Sequence, residues 1–182
     1  MTDFEKYNVV LLVEQALTEA DAAQVRSLHD GLDQPVDYYV IQPIEDAAAR
    51  VEAALGSLSA GEFAAAPMVV MNDVDLEEVR RDCTDRSNKA LDETVAHLSK
   101  TGAHATGCVT SKPPIDALAD AVQERDAQEA IILTRPHVVA EFFHVDWTSR
   151  ARRRIGVPVL HLLEHENFDE QAGNSGEGIS GF

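Results

Sequence analysis

The chain has 182 residues, which is enough for one domain with a sizeable core and too short for two ordinary domains. Its 32 acidic and 15 basic residues give a formal net charge of −17, which repels nucleic-acid phosphates and anionic lipid surfaces. We therefore expect binding to neither nucleic acid nor membrane. Residues 1–7 lack the apolar run of a signal peptide, and no stretch approaches the ~20 apolar residues that span a bilayer. The sequence predicts a cytoplasmic protein.

The first predicted strand, residues 8–13, is a continuous Val and Leu run of the kind that is buried on both faces of a sheet. Thr18 is followed three residues later by Asp21, which predicts an N-cap and an acidic first turn. The helix that they open is predicted over residues 19–29. A second strand is predicted over residues 37–41.

Apolar residues at helical spacing predict a helix over residues 44–58. The pattern breaks over residues 59–72, which are unusually apolar for a loop and favour packing against the domain or a second subunit. A long helix is then predicted from Asp73 or Asp75 to about Lys100.

Gly102 stands just past this helix, where a left-handed C-cap belongs. A weaker third strand is predicted over residues 103–110, and the Pro-Pro pair at 113–114 opens the next helix. A buried fourth strand is predicted over residues 129–134, followed by a helix over residues 140–154. Cys83 falls in a predicted helix and Cys108 in a predicted strand. We expect both thiols to be reduced and partly buried, and no His–Cys spacing predicts a metal site.

After a fifth strand, the composition becomes rich in Gly, Ser and acidic residues, which predicts a flexible tail over residues 165–182. Strands alternating with helices predict an α/β domain over residues 1–164: a doubly wound, five-stranded parallel sheet in three α/β/α layers. Ligands of such sheets bind at the carboxyl ends of the strands, here strands one and four. The residues predicted at this crevice are Val13, Glu14, Ile41, Thr134, Arg135 and His137.

Three segments of the C-terminal half are similar to a known family: PPIDALADAV at 113–122, AIIL at 130–133 and GVPVL at 156–160. They resemble the proline-started helix and the last two strands of universal stress protein domains. The resemblance covers about residues 8–163, with an enlarged second crossover at about 44–102. It implies the sheet order 3-2-1-4-5 of the adenine nucleotide alpha hydrolase-like fold. It also implies a homodimer formed through the last strand, from Val157 to Leu163.

Many members of that family bind ATP through an acidic residue after strand one and a glycine loop after strand four. Glu14 matches the acidic position, but residues 134–137 replace the first two glycines, and Val145 and Asp146 stand at the Gly-Ser pair. Bulky side chains there block the approach of backbone N–H groups to phosphates, and Asp146 repels them. The resemblance therefore implies no ATP cofactor held in the family manner.

Several residues have two readings. Arg135 is either a fork for a phosphate or carboxylate, with His137 as an acid or base, or part of a solvated loop. Phe143 and Trp147 share a helical face that belongs either to the core or to an apolar pocket or dimer contact. The arginines within residues 150–154 complement a helix C-terminus and can pair with acidic residues.

Neither a nucleophile nor a second carboxylate is placed with Glu14, and the sequence lacks a G-x-S-x-G elbow, so we name no catalytic residue. The predicted function is that of a non-catalytic, stress-associated binding or regulatory protein. Two alternatives stay open. One is a nucleotide or other small anion bound in a remodelled crevice by Arg135 and Glu14. The other is an enzyme of unassigned chemistry in the same cleft.

Overall fold

The computed structural model describes residues 6–44, 73–134 and 153–163. Its five strands are β1 Tyr7–Val13, β2 Val36–Pro43, β3 His104–Thr110, β4 Glu129–Thr134 and β5 Val159–Leu163. All four pairings between them are parallel, and the order across the sheet is β3-β2-β1-β4-β5. This order confirms the predicted α/β class and the topology that the resemblance implied.

In the described ranges, three helices accompany the sheet: α1 Glu19–Ser27, α2 Asp73–Lys100 and α3 Pro114–Glu124. Residues 153–155 are also helical, at the end of the helix predicted over residues 140–154. The rest of that helix, the one predicted over residues 44–58 and the predicted tail lie outside the described residues. Within the described ranges, no helix has the length and apolar character needed to cross a membrane.

The predicted helix signals are confirmed in the structure. The backbone N–H of Asp21 donates to the Thr18 hydroxyl, and the Asp21 carboxylate accepts from the Thr18 backbone N–H, which completes a capping box. Pro114 begins α3. Gly102, after α2, has a φ of 85°, the left-handed conformation expected of a C-cap glycine.

Three boundaries differ from the predicted ones by two residues each: β2 continues past Ile41 to Pro43, and the other two are the end of α1 and the start of β5. The last helical residue of α1 is Ser27, and the backbone N–H of His29 bonds the carbonyl of Arg26, which tightens the final turn. β5 begins at Val159 because Pro158 has no backbone N–H to donate, although its carbonyl accepts from Ala130.

The sheet is buried on both faces because α1 and α2 cover one side and α3 covers the other. The side chains of β1 alternate between two apolar clusters. The cluster on the α1 and α2 side includes Val9, Leu11, Val13, Val25, Tyr38, Val40, Leu98 and Ile131. The cluster on the α3 side includes Val10, Leu12, Ile41, Leu118, Val122 and Ile132. This double burial explains why β1 and β4 are continuous apolar runs.

The first half of α2 extends beyond the sheet. The Ser87 hydroxyl donates to the carbonyl of Pro43, the last residue of β2, at 3.4 Å. Because α2 has 14 residues before Ser87 and rises about 1.5 Å per residue, about 20 Å of helix projects past the carboxyl edge of the sheet. Cys83 in this projecting part is buried, Cys108 on β3 is half-buried, and the two do not form a disulfide with each other.

Gly107 is the point at which β3 packs most tightly against its neighbours. A Cβ atom there would stand 2.5 Å from the Val40 carbonyl oxygen and 2.7 Å from the Leu91 Cδ1. The Val40 oxygen belongs to the β2 backbone, which a side chain on β3 cannot displace without shifting the strand. Glycine at this position therefore allows β2, β3 and α2 to come together.

We expect Gly107→Ala to lower the free energy of unfolding by about 1–3 kcal/mol, because the added methyl overpacks this contact. Urea denaturation followed by circular dichroism measures the change. Gly31→Ala is the matched control, since a Cβ at Gly31 meets nothing within 4 Å. Equal stabilities for the two variants would contradict the packing role of Gly107.

Candidate functional site

The predicted crevice lies where the strand order reverses. β1 pairs with β2 on one side and with β4 on the other, and the register places Leu12 beside Ile41 and Val13 beside Leu133. The carboxyl edge at such a point of reversal is the usual ligand site of doubly wound sheets.

The structure places the predicted site residues in three different situations. The side chains of Val13 and Ile41 are 0% and 1% exposed and belong to the two core clusters, so only their main chains face the carboxyl edge. Glu14 and Thr134 are half-buried at the ends of β1 and β4. Arg135 and His137 lie outside the described residues, so their predicted roles stay predictions.

Gln42 is a crevice residue that the sequence analysis did not identify. Its side chain is 2% exposed, and its Nε2 donates to the carbonyl oxygens of Glu14 at 3.1 Å and Pro43 at 3.4 Å. The carboxamide thus reaches from the end of β2 across to the end of β1. Its Oε1 is buried and has no hydrogen-bond partner among the described residues. A buried acceptor left in this state costs about 1–3 kcal/mol.

On the other side of the crevice, the Thr134 side chain is hydrogen-bonded to the last strand, β5. Its hydroxyl lies 2.8 Å from the Nε2 of His161 on β5. Burial lowers the pKa of His161 below its ordinary value of 6.5, because the charged ring loses hydration there. The His161 ring therefore hydrogen-bonds a residue of the same chain and favours its neutral form.

A second polar cluster lies at the opposite, amino edge of the sheet and includes a His–carboxylate–Tyr arrangement of the type found in catalysis. His29 Nε2 lies 2.7 Å from Glu129 Oε1, and His29 Nδ1 lies 2.8 Å from the Tyr38 hydroxyl. The Tyr38 side chain, however, is 0% exposed, and burial raises its pKa above the ordinary tyrosine value. A substrate cannot reach this hydroxyl. No short sequence motif could have revealed the cluster, since His29 and Glu129 are 100 residues apart.

Several charged residues elsewhere on the described surface form ion pairs. Arg154, the last member of the predicted arginine cluster, bonds Asp116 at 2.8 Å, as the pairing hypothesis expects. Among residues 6–44, 73–134 and 153–163, no group of three His, Cys, Asp or Glu side chains is arranged to hold a metal ion.

The depressed pKa of His161 predicts a stability change with pH. The unfolded chain binds a proton at a higher pH than the folded chain, so stability is full above the ordinary histidine pKa and falls as pH decreases through it. We expect His161→Leu to flatten the fall in stability between neutral pH and pH 5.5, as measured by urea denaturation.

The Thr134→Val variant distinguishes the contribution of the Thr134–His161 hydrogen bond from the effect of His161 protonation. It should lower stability by about 1 kcal/mol at every pH, because it removes one hydrogen bond and leaves the ring buried. A His161→Leu variant whose pH profile is parallel to that of the wild type would contradict the burial effect.

The sequence matches no protein-family model and no curated protein. Similar solved structures include the hypothetical protein MJ0577, with a TM-score of 0.53 and 10% identity over 88% of this chain and 99% of that chain. They also include UspA from Lactobacillus plantarum, with a TM-score of 0.48 and 14% identity over 88% and 99% of the two chains. A universal stress protein family protein from Arabidopsis thaliana with AMP bound has a TM-score of 0.47 and 12% identity over 90% and 94%. At these identities the likeness is one of fold. Together with the strand order, it supports a universal stress protein-like fold for this chain.

Proposed function

We propose that the protein is a non-catalytic, stress-associated binding or regulatory protein of the cytoplasm, whose small ligand enters the crevice between the ends of β1 and β4. The observation that carries this proposal is the Gln42 carboxamide. It is buried at the carboxyl edge, anchored on the Glu14 carbonyl, and left with an acceptor oxygen that nothing described satisfies. A ligand donor at this oxygen would remove the energetic penalty.

The same geometry favours a ligand that donates hydrogen bonds over a triphosphate. Gln42 Oε1 is an acceptor and Glu14 carries a carboxylate, so both repel phosphate oxygens. The glycine loop that would hold phosphates is also replaced in the sequence at residues 134–137. The proposed ligand is therefore a neutral or cationic small molecule with an N–H or O–H group.

The non-catalytic part of the proposal rests on accessibility. In the described cluster of His29, Glu129 and Tyr38, the Tyr38 hydroxyl is buried in the core and out of reach of a substrate. Binding without turnover fits these contacts best.

We also propose that two copies associate through β5, as the resemblance implies. β5 pairs only with β4 among the described strands, so its outer edge carries backbone groups available to a second strand. Leu160 on this strand is 39% exposed, which is unusual for a large apolar residue of this chain. An apolar side chain on an open strand edge favours pairing with an identical edge.

A thermal-shift screen tests the ligand proposal, with adenosine, AMP, ATP, cyclic AMP and inorganic phosphate, each with and without magnesium. A bound compound at about 100 times its dissociation constant should stabilise the fold by about 2.7 kcal/mol. We expect no stabilisation by magnesium-ATP beyond that given by adenosine. We also expect Gln42→Met to abolish the shift of any compound that binds.

Gln24→Met is the matched control, since Gln24 also has a buried amide nitrogen without a partner in the described part of the chain but lies on α1. A magnesium-ATP shift that survives Gln42→Met would contradict the proposed ligand class, and turnover of a bound compound would contradict the non-catalytic role. No shift with any compound would turn the search to protein partners.

Leu160→Arg tests the dimer. We expect the wild type to have twice the mass of the chain in light scattering after size-exclusion chromatography, and the variant to have the mass of one chain, because the two charges would face each other. Leu32→Arg is the control, since Leu32 is equally exposed but lies before β2. A monomeric wild type would overturn this part of the proposal.

A further inference from the structure

Four side chains, from three strands and from the turn after α1, form a continuous hydrogen-bonded chain at the amino edge of the sheet. We call Tyr7, His29, Tyr38 and Glu129 the amino-edge latch. The Tyr7 hydroxyl donates to Glu129 Oε2 at 3.2 Å, Glu129 Oε1 lies 2.7 Å from His29 Nε2, and His29 Nδ1 lies 2.8 Å from the Tyr38 hydroxyl. The latch joins the start of β1, the turn after α1, β2 and the start of β4.

Both nitrogens of the His29 ring have a hydrogen-bond partner whether the ring is neutral or charged. The His29 backbone N–H bonds the Arg26 carbonyl, so the Val25 carbonyl lacks its usual helical donor and lies 3.1 Å from His29 Nδ1. In the neutral ring, Nδ1 accepts from the Tyr38 hydroxyl. In the charged ring, Nδ1–H donates to the Val25 carbonyl. In both states, Nε2–H donates to Glu129.

The Glu129 carboxylate is therefore the acceptor on which the latch depends, because it receives both the Tyr7 hydroxyl and the His29 ring. When it is protonated, these charge-assisted hydrogen bonds become neutral ones. A charged His29, which is 3% exposed, would then be buried without a counter-ion. Loss of the negative charge thus weakens the contacts that hold the end of α1 on the sheet.

The titratable groups around the Glu129 carboxylate do not supply another negative charge to the latch when Glu129 is protonated. Tyr7 comes from β1 and Tyr38 from β2, and both have raised pKa values and stay neutral. On the α1 side, Arg26 and Asp30 pair with each other at 3.2 Å. The hydrogen bond from His29 holds the pKa of Glu129 below its ordinary value, with burial acting in the opposite direction.

From this geometry we infer that the amino-edge latch is an acid-sensitive device: protonation of Glu129 releases the end of α1 and the following turn, residues 28–35, while the sheet stays folded. The sign follows from the linkage between protonation and folding. Because the folded chain holds the Glu129 proton less tightly than the unfolded chain, the stabilisation is present at neutral pH and is lost as pH falls through the folded pKa.

Hydrogen exchange followed by mass spectrometry tests this inference, at pH 7 and at about pH 4, with rates corrected for the intrinsic pH dependence of exchange. We expect the protection of residues 28–35 to fall by about tenfold or more at the lower pH, relative to β1 and β4. Glu129→Gln should show the same loss already at pH 7 and no further change on acidification.

Asp37→Asn is the matched control, because Asp37 also accepts from a histidine at this edge, His104 at 2.6 Å, but in an exposed pair. It should leave residues 28–35 as protected as in the wild type. If Glu129→Gln does not fold, Tyr7→Phe removes one donor to the carboxylate, and the release should then occur at a higher pH than in the wild type.

Equal protection of residues 28–35 at the two pH values would overturn the inference. So would a Glu129→Gln variant that keeps the pH response of the wild type, or a Tyr7→Phe variant that opens at the unchanged pH. None of these readouts involves the crevice, so they are independent of whether Gln42 binds a ligand.

Discussion

β1 is the element on which both edges of this molecule depend, because it is the strand that pairs on both sides at the point of reversal. Val9, Val10, Leu11 and Val13 are fully buried, and they alternate between the two core clusters. Any shift of β1 would therefore displace side chains in both layers at once. Its first residue, Tyr7, belongs to the polar cluster at the amino edge, and Glu14 follows its last residue at the crevice. One rigid strand thus fixes the positions of two chemically different sites.

The two edges treat buried polar groups in opposite ways. At the amino edge, Tyr7, His29, Tyr38 and Glu129 satisfy one another, and the Val25 carbonyl also finds a donor. At the carboxyl edge, Gln42 donates to two carbonyl oxygens, but its own oxygen has no partner among the described residues. A fully satisfied network contributes to stability and fixes the relative positions of neighbouring elements, whereas an unpaired acceptor is a cost that a structural role does not explain. This contrast is the reason that we propose ligand recognition at the crevice and an acid-sensitive contact at the opposite edge.

The parts of the fold that could be predicted from the sequence are those with local causes. The capping box of Thr18 and Asp21, the left-handed Gly102 and Pro114 at the start of α3 each depend on a few adjacent residues. The apolar runs of β1 and β4 report burial on both faces, which the parallel sheet supplies. Alternation of strands and helices was then sufficient for the class, and the family resemblance supplied the strand order.

The site residues that were missed have non-local causes. In the sequence, Gln42 is only a polar residue near the end of a strand. Its importance comes from the hydrogen bond that its side chain donates to the carbonyl of Glu14, 28 residues earlier. His29 and Glu129 are 100 residues apart, so no motif joins them. Val13 stands at the end of β1 as predicted and Ile41 two residues before the end of β2, and both side chains lie in the core clusters.

The long α2 helix also constrains the crevice. Its second half packs on the sheet through Thr94 and Leu98, with the Thr94 hydroxyl accepting from the Leu17 backbone and His97 bonded to the Leu17 carbonyl. These contacts fix the loop between β1 and α1, which carries Glu14 and Gln15. The projecting first half stands beyond the same edge. Because one helix both anchors this loop and extends past the carboxyl edge, a change in its packing would shift the residues of the proposed site without changing the sheet.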